Sequence, residues 1–191
     1  MQNTQIQRFP WGTADDAQVL IVHFGSKSTP MIAQLLRQIG LRSRVIDAAD
    51  VPTVTASGYH PRLIILSGGD DSVSNDHAPT IADRDLATFM RHGVVLGICY
   101  GAQLLAVKLG GKVATAAIPE FGEVQVQVTE PFGTYAGGTA VMNHNDEIVT
   151  LPTGWQVFAS TAHCQHALVG TAGIYAVMFH PEVDHSEHGD A

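Results

Sequence analysis

The chain has 191 residues, of which 45% are hydrophobic, and this is enough for one globular domain with a buried core. Its 10 Lys and Arg residues and 18 Asp and Glu residues give a net charge of −8, which disfavours binding to nucleic acid or to an anionic membrane. No apolar run reaches the ~18 residues of a membrane span and no secretory signal opens the chain, so we expect a cytoplasmic protein with two reduced cysteines.

The first half of the chain alternates short apolar runs with amphipathic segments. Residues 1–18 are polar, and we expect them to form a leader outside the core. The predicted strands cover residues 19–22, 43–46, 63–66 and 94–98, and the predicted helices cover residues 29–39, 79–91 and 100–109. Short apolar strands that alternate with helices are typical of a parallel sheet covered on both faces. We therefore predict an α/β fold with a flavodoxin-like open, mostly parallel central sheet and helices on both faces.

From about residue 112 the pattern changes to a series of short strands. Valines at positions 124, 126 and 128 alternate with polar residues, as in a half-exposed strand. Further strands are predicted near residues 139–142, 155–160, 166–169 and 174–179. Since no linker or repeat interrupts the chain, we predict a single domain over residues 19–191, with an additional small antiparallel sheet in its second half.

Cys99 lies in a Gly-x-Cys-x-Gly turn between the predicted strand 94–98 and the predicted helix 100–109. This arrangement is a nucleophile elbow, in which Gly97 and Gly101 relieve crowding and the nucleophile projects toward substrate. The unpaired amides at the start of the helix favour a thiolate at this position. Because a lone cysteine can also be an inert core residue, the interpretation requires a partner base.

A second motif supplies such a base at the end of the predicted strand 174–179. His180 follows this strand, and Glu182 stands two residues further on. Residues i and i+2 of an extended chain point in the same direction, so the Glu182 carboxylate can hold the His180 imidazole in one tautomer. The other ring nitrogen would then face a thiol, which completes the orienting carboxylate, base and nucleophile of a catalytic triad.

Consecutive glycines follow the predicted strand 63–66. Gly68 and Gly69 allow backbone amides to approach a ligand closely, because they carry no side chain. One of these amides, together with the amide of Tyr100, could form an oxyanion hole. By themselves, two consecutive glycines after a strand would indicate only a turn.

Histidine-rich segments raise the question of a metal site. His163 and His166 flank Cys164, and two more histidines lie within residues 184–188. Neither group has the ligand spacing of a zinc site. We therefore expect a solvated loop and tail at these positions and no bound metal.

Taken together, the motifs resemble those of class I glutamine amidotransferase domains, in the same order, over about residues 19–188. Within this family the chain is most similar to the glutaminase domains of GMP synthetases. The motifs that carry the resemblance are FGS at 24–26, IILSGG at 64–69, GICYGAQ at 97–103, GG at 110–111, EFG at 120–122, MNHND at 142–146 and FHPEVDH at 179–185.

The resemblance implies a role for each residue of the site. Cys99 would be the nucleophile, His180 the acid and base, and Glu182 its orienting partner. The backbone amides of Gly69 and Tyr100 would form the oxyanion hole. The residues implied to bind the substrate glutamine are Gly68, Gln103, Asn143, His144 and Asn145.

The resemblance also implies a partner that uses the ammonia. This partner would be an ATP-pyrophosphatase synthetase domain or subunit that converts xanthosine monophosphate to GMP. ATP and Mg²⁺ would bind to the partner, and no cofactor would bind to this domain. Members of the family usually continue into a closing helix and, in fused forms, a synthetase domain, so we expect either a fragment of a longer synthetase or a separate subunit.

Several positions depart from the family pattern around the expected pocket and partner surface, namely His23, Lys27, Ser28, Asp70, Asn143 and Asn145. They leave open an acceptor other than xanthosine monophosphate, such as chorismate or a secondary metabolite. Two further alternatives are a γ-glutamyl hydrolase or cysteine peptidase with the same triad, and a non-catalytic regulatory relic of the same fold.

Overall fold

The computed structural model describes residues 17–189. This part of the chain contains nine strands and four α-helices. The strands are β1 Val19–His23, β2 Ser43–Asp47, β3 Leu63–Leu66, β4 Val94–Ile98, β5 Lys112–Val128, β6 Gly138–Thr150, β7 Gln156–Ser160, β8 Leu168–Thr171 and β9 Ile174–Val177. The helices are α1 Thr29–Gln38, α2 Val51–Ala56, α3 Asp83–His92 and α4 Tyr100–Lys108. The strands form one sheet in the order β2-β1-β3-β4-β9-β8-β7-β5-β6.

The five strands on one side of this sheet are parallel. β1 pairs with β2 and β3, β3 pairs with β4, and β4 pairs with β9. β1 and β3 are buried along almost their whole length, as expected for continuous apolar strands inside a parallel sheet. The mostly parallel central sheet is thus confirmed, and its fifth strand, β9, comes from the end of the chain.

The remaining strands are antiparallel and continue the same sheet beyond β9. β8 pairs with β9 and β7, and β5 pairs with β7 and β6. The predicted antiparallel strands are therefore present, but they extend the central sheet and do not form a separate layer. β5 is much longer than the predicted segment 124–128, because it pairs with β6 along most of its 17 residues, with an irregularity between Thr115 and Glu120.

The helices agree with the predictions except at two places. α1 has Pro30 in its first turn and is followed by Gly40, whose φ of +82° is that of a left-handed helix cap. α3 begins at Asp83, four residues later than predicted, and the six-residue α2 was not predicted. Within residues 17–189, no helix is both long enough and apolar enough to cross a membrane.

The folded domain begins earlier than the predicted boundary at residue 19. Ala17 is buried, and the amide of Gln18 donates to the carbonyl of Arg42 at 3.0 Å. The carbonyl of Gln18 also accepts a hydrogen bond from the amide of Arg62 at 3.1 Å. Ala17 and Gln18 therefore belong to the folded domain. The rest of the predicted leader, residues 1–16, lies outside the described residues.

The register of the parallel strands places the candidate motifs at one edge of the sheet. Leu66 at the end of β3 pairs with Gly97, and Ile98 at the end of β4 pairs with Val177. The segments that follow β3, β4 and β9 therefore leave the sheet side by side. This is the edge at which open α/β sheets bind their ligands.

Candidate active site

Cys99 occupies a strained turn between β4 and α4. Its φ of 51° and ψ of −106° lie outside the regions that residues with a side chain normally adopt. Such a conformation costs on the order of 1–3 kcal/mol and persists where the surrounding structure enforces it, commonly at functional sites. The predicted nucleophile elbow is thus present, with the thiol 5% exposed at the carboxyl end of β4.

The two glycines of the turn are required by close backbone contacts. A Cβ atom on Gly97 would lie 2.5 Å from the carbonyl oxygen of Gly101. A Cβ atom on Gly101 would lie 2.1 Å from the carbonyl oxygen of Leu66. Backbone hydrogen bonds hold the turn, since Cys99 donates to the Val177 carbonyl at 2.8 Å and Gly101 donates to the Ser67 carbonyl at 3.1 Å.

His180 and Glu182 form the pair that the sequence predicts. His180 Nδ1 lies 2.8 Å from Glu182 Oε1, and both side chains are buried. The backbone amide of His180 donates to the carbonyl of Val141 on β6 at 2.8 Å. This hydrogen bond fixes the backbone position from which the His180 side chain extends. Cys99 lies close enough to His180 to raise the pKa of its imidazole, so the structure brings all three residues of the predicted triad together.

The environment of His180 favours the imidazolium form. Burial by itself would lower the pKa of this histidine, but hydrogen bonds to Cys99 and Glu182 and the negative charges of both groups outweigh burial and raise the pKa to about 10. A proton on His180 is therefore stabilised from both sides, by the carboxylate at Nδ1 and by the sulfur of Cys99.

Ser28 is a further member of the site, which the sequence analysis treated only as a departure from the family pattern. Its Oγ lies 2.5 Å from Glu182 Oε1 and 2.8 Å from Ser26 Oγ. The other carboxylate oxygen of Glu182 is buried and has no partner among the described residues. Ser28 and Glu182 are 154 positions apart in the chain, so no local pattern could have indicated this contact.

The loop after β3 lies against the triad. A Cβ atom on Gly68 would be 3.1 Å from His180 Cε1, and one on Gly69 would be 2.6 Å from the Phe24 carbonyl oxygen and 3.3 Å from the ring of Tyr100. The hydroxyl of Tyr100 donates to the carbonyl of Pro79, which ties the loop to the start of α4. The two amides predicted to form an oxyanion hole therefore belong to neighbouring segments beside Cys99, and their role stays a prediction.

The residues predicted to bind glutamine lie in the loop after β3, where Gly68 is, and on α4 and β6. The thiol of Cys99 donates to the carbonyl of Asn143 at 3.7 Å, and Gln103 Nε2 donates to the carbonyl of Asp146 at 2.8 Å. Asn143 and Asn145 are exposed, whereas His144 between them is buried on the opposite face of the strand. The backbone of this segment is thus beside the nucleophile, and the His144 side chain is buried in the core; substrate binding by these residues stays a prediction.

The chain is similar in sequence to known proteins over most of its length. The family model for class I glutamine amidotransferases matches residues 20–191. A GMP synthase (glutamine-hydrolyzing) from Photobacterium profundum is 35% identical over 193 residues, covering 91% of this chain and 35% of that protein. One from Vibrio atlanticus is 37% identical over 181 residues, covering 91% and 34%. The chain therefore spans about a third of the length of these curated relatives.

Solved structures show the same fold. A protein from Thermoplasma acidophilum, described as part of a GMP synthase, aligns with a TM-score of 0.75 and 30% identity over 91% of this chain and 88% of its own. This likeness confirms the predicted flavodoxin-like α/β fold. Since the family model covers residues 20–191, nearly the whole chain, the chain belongs to the class I glutamine amidotransferase family.

Proposed function

We propose that this domain hydrolyses glutamine to glutamate and ammonia through a thioester on Cys99. The observation that carries the proposal is the strained turn of Cys99 beside a buried His180–Glu182 pair with a 2.8 Å hydrogen bond. Family membership makes the carboxamide of glutamine the matching substrate. The proposal includes action in the cytoplasm, with no cofactor taking part in glutamine hydrolysis by this domain.

The first half of the reaction forms the thioester. The Cys99 sulfur attacks the carboxamide carbon, and the carbonyl oxygen gains the negative charge. The amides of Gly69 and Tyr100 would donate to this oxygen, as an oxyanion hole does. His180 then gives its proton to the departing nitrogen, the carbon–nitrogen bond breaks, and ammonia leaves with the glutamyl group still on sulfur.

The second half returns the enzyme to its starting state. Neutral His180 takes a proton from water, and the resulting hydroxide attacks the thioester carbon. The carbon–sulfur bond breaks, the sulfur leaves as a thiolate beside protonated His180, and glutamate departs. Throughout, Glu182 keeps the ring in one orientation and stabilises the imidazolium, without itself becoming protonated.

The nucleophile is tested by measuring glutamate release and covalent labelling. Cys99→Ala should abolish glutamine hydrolysis with the fold intact, and the matched variant Cys164→Ala should leave hydrolysis almost unchanged. A glutamine-like electrophile, 6-diazo-5-oxonorleucine, should add once, at Cys99, as read by peptide mass spectrometry. Labelling mainly at Cys164 would overturn the assignment, and no hydrolysis under any condition would favour the regulatory relic.

We further propose that the ammonia passes to an ATP-dependent synthetase, with xanthosine monophosphate as acceptor. The supporting finding is that the relatives at 35–37% identity are named GMP synthases and are about three times as long as this chain. In this proposal ATP and Mg²⁺ bind to the partner, which is a further domain or a separate protein, and the domain described here supplies only ammonia.

The surface around Phe121 on β5 is the proposed contact with that partner. Phe121 and Ile118 are 58% and 54% exposed, which is unusual for large apolar side chains. Phe121 pairs across the sheet with Asn143, whose carbonyl accepts the hydrogen bond from the Cys99 thiol. A partner that contacts Phe121 would therefore touch the strand that borders the nucleophile.

Coupling is tested by adding a GMP synthetase ATP-pyrophosphatase partner, ATP and xanthosine monophosphate. We expect weak hydrolysis by the domain alone and a rise of at least about tenfold, or ~1.4 kcal/mol of barrier. Phe121→Asp should remove the stimulation and keep the basal rate, whereas the control Val149→Asp, also at an exposed apolar position on the sheet, should keep both. Stimulation by a chorismate-using partner instead would reassign the acceptor, and a full rate without any partner would refute coupling.

A further inference from the structure

Three residues with metal-binding side chains, none of them a member of the predicted triad, meet in the core. Glu120 comes from β5, His144 from β6 and Cys164 from the loop after β7. They are 5%, 4% and 1% exposed, and one potential ligand atom from each lies within 4.8 Å of the other two. His144 Nε2 is 3.8 Å from Glu120 Oε2, a separation that two ligands of one tetrahedral ion can have.

His144 has buried side-chain nitrogens without hydrogen-bond partners among the described residues. Both of its ring nitrogens are buried, and neither has a hydrogen bond of normal geometry. Burial lowers the pKa of this histidine, although the charge of Glu120 and the backbone of Asp146 partly oppose the effect. Leaving a buried polar group without a partner costs about 1–3 kcal/mol, so these nitrogens are available to a ligand.

The other two side chains are already oriented around His144. The hydroxyl of Thr161 donates to the Glu120 carboxylate, with Oγ1 2.8 Å from both carboxylate oxygens. The same Oγ1 accepts the backbone amide of Cys164 at 2.8 Å. Thr161 thus holds both a carboxylate and a cysteine in place, which is what an outer-shell residue does at a metal site.

A simple Glu–His pair accounts for the cluster less well than a metal ion does. At 3.8 Å the Glu120–His144 contact is too long for a hydrogen bond. Such a pair also does not explain why the Cys164 thiol lies beside both side chains. One carboxylate, one imidazole and one thiolate are all ligands of Zn²⁺, and the sulfur disfavours Mg²⁺ and Ca²⁺. The two negative charges would also balance a divalent ion.

We propose that Glu120, His144 and Cys164 bind one Zn²⁺ ion, which joins β5, β6 and the loop after β7. Three protein ligands leave the fourth tetrahedral position for a water molecule.

The ligand set explains why the sequence indicated no metal. Cys164 was considered with its neighbours His163 and His166, but neither joins it in the cluster. His163 is exposed, and His166 Nδ1 contacts the carbonyl of Ile148. The proposed ligands are instead spread over 45 positions of the chain and have no local spacing to recognise.

The direct test is metal binding by the wild-type protein. Metal-free protein is titrated with Co²⁺ and Zn²⁺, and Co²⁺ reports a sulfur ligand through a charge-transfer band in the near ultraviolet. We expect a band that saturates at one equivalent, is displaced by Zn²⁺, and accompanies a rise in the thermal unfolding midpoint. The absence of a saturable band in folded wild-type protein would refute the site, whatever the result of the glutaminase assay.

Variants locate the ion. Cys164→Ser should remove the charge-transfer band, and His144→Gln should weaken Zn²⁺ binding at least tenfold. The matched controls are Cys99→Ser, which changes the other cysteine, and His163→Gln, which changes the neighbouring histidine; both should bind Co²⁺ as the wild type does. Loss of the band in Cys99→Ser but not in Cys164→Ser would place the ion at the triad and overturn the proposal.

Discussion

Replacing Ser28 with alanine should weaken glutamine hydrolysis in a protein that still folds. The Ser28 hydroxyl is one of two donors to Glu182 Oε1, and the other is His180 Nδ1. Glu182 Oε2 has no partner among the described residues, so the variant leaves a buried carboxylate with a single donor. Ser28 precedes α1 but makes no capping hydrogen bond through its side chain, and the helix therefore loses no cap.

The expected size of the effect follows from this contact. A hydrogen bond to a charged group contributes about 1.5–3 kcal/mol. If the Ser28 hydrogen bond is needed to keep Glu182 aligned with His180, its loss lowers kcat/KM by about tenfold to a hundredfold. Steady-state glutamate release over a range of pH measures the loss, and urea unfolding measures the stability of the same samples. The alkaline limb of the pH profile should not move to lower pH, because the carboxylate and its charge remain.

Ser28→Thr is the matched control for this prediction. Threonine keeps a hydroxyl at the same position and should retain most of the activity, whereas alanine should not. Wild-type kcat/KM in Ser28→Ala would refute the reasoning, because the 2.5 Å contact with Glu182 would then have no effect on catalysis. A loss that is explained by a lower free energy of unfolding would also refute it.

The remaining predictions concern the base and the turn. His180→Ala should lower turnover by about 10²–10⁴-fold, the range of a positioned acid or base, and Glu182→Gln should lower it less. In Glu182→Gln the alkaline limb should move to lower pH, because the variant removes a charge that helps to raise the pKa of His180 to about 10; an unmoved limb contradicts this. Gly101→Ala should prevent folding, since its Cβ would lie 2.1 Å from the Leu66 carbonyl oxygen. Gly110→Ala, with open space around it, should lose only about 1–2 kcal/mol in thermal or urea unfolding.

The parts of the site that the sequence predicts are those built by neighbouring residues. Gly97, Cys99 and Gly101 form one turn, and its geometry depends on local backbone crowding. His180 and Glu182 are two residues apart in extended chain, so their common direction follows from the backbone alone. The alternation of apolar strands and helices likewise predicts the parallel sheet, because burial on both faces requires continuous apolar runs.

Only the tertiary structure decides contacts between distant segments. The insertion of β9 beside β4 brings His180 to Cys99, and the same arrangement brings Ser28 to Glu182 across 154 positions. Side-chain direction on β6 depends on strand register: His144 faces the core while its neighbours face outward, and a shift of one residue would reverse this. Pairing between β5 and β6 then sets His144 opposite Glu120, a result of long-range strand pairing that no local sequence pattern contains.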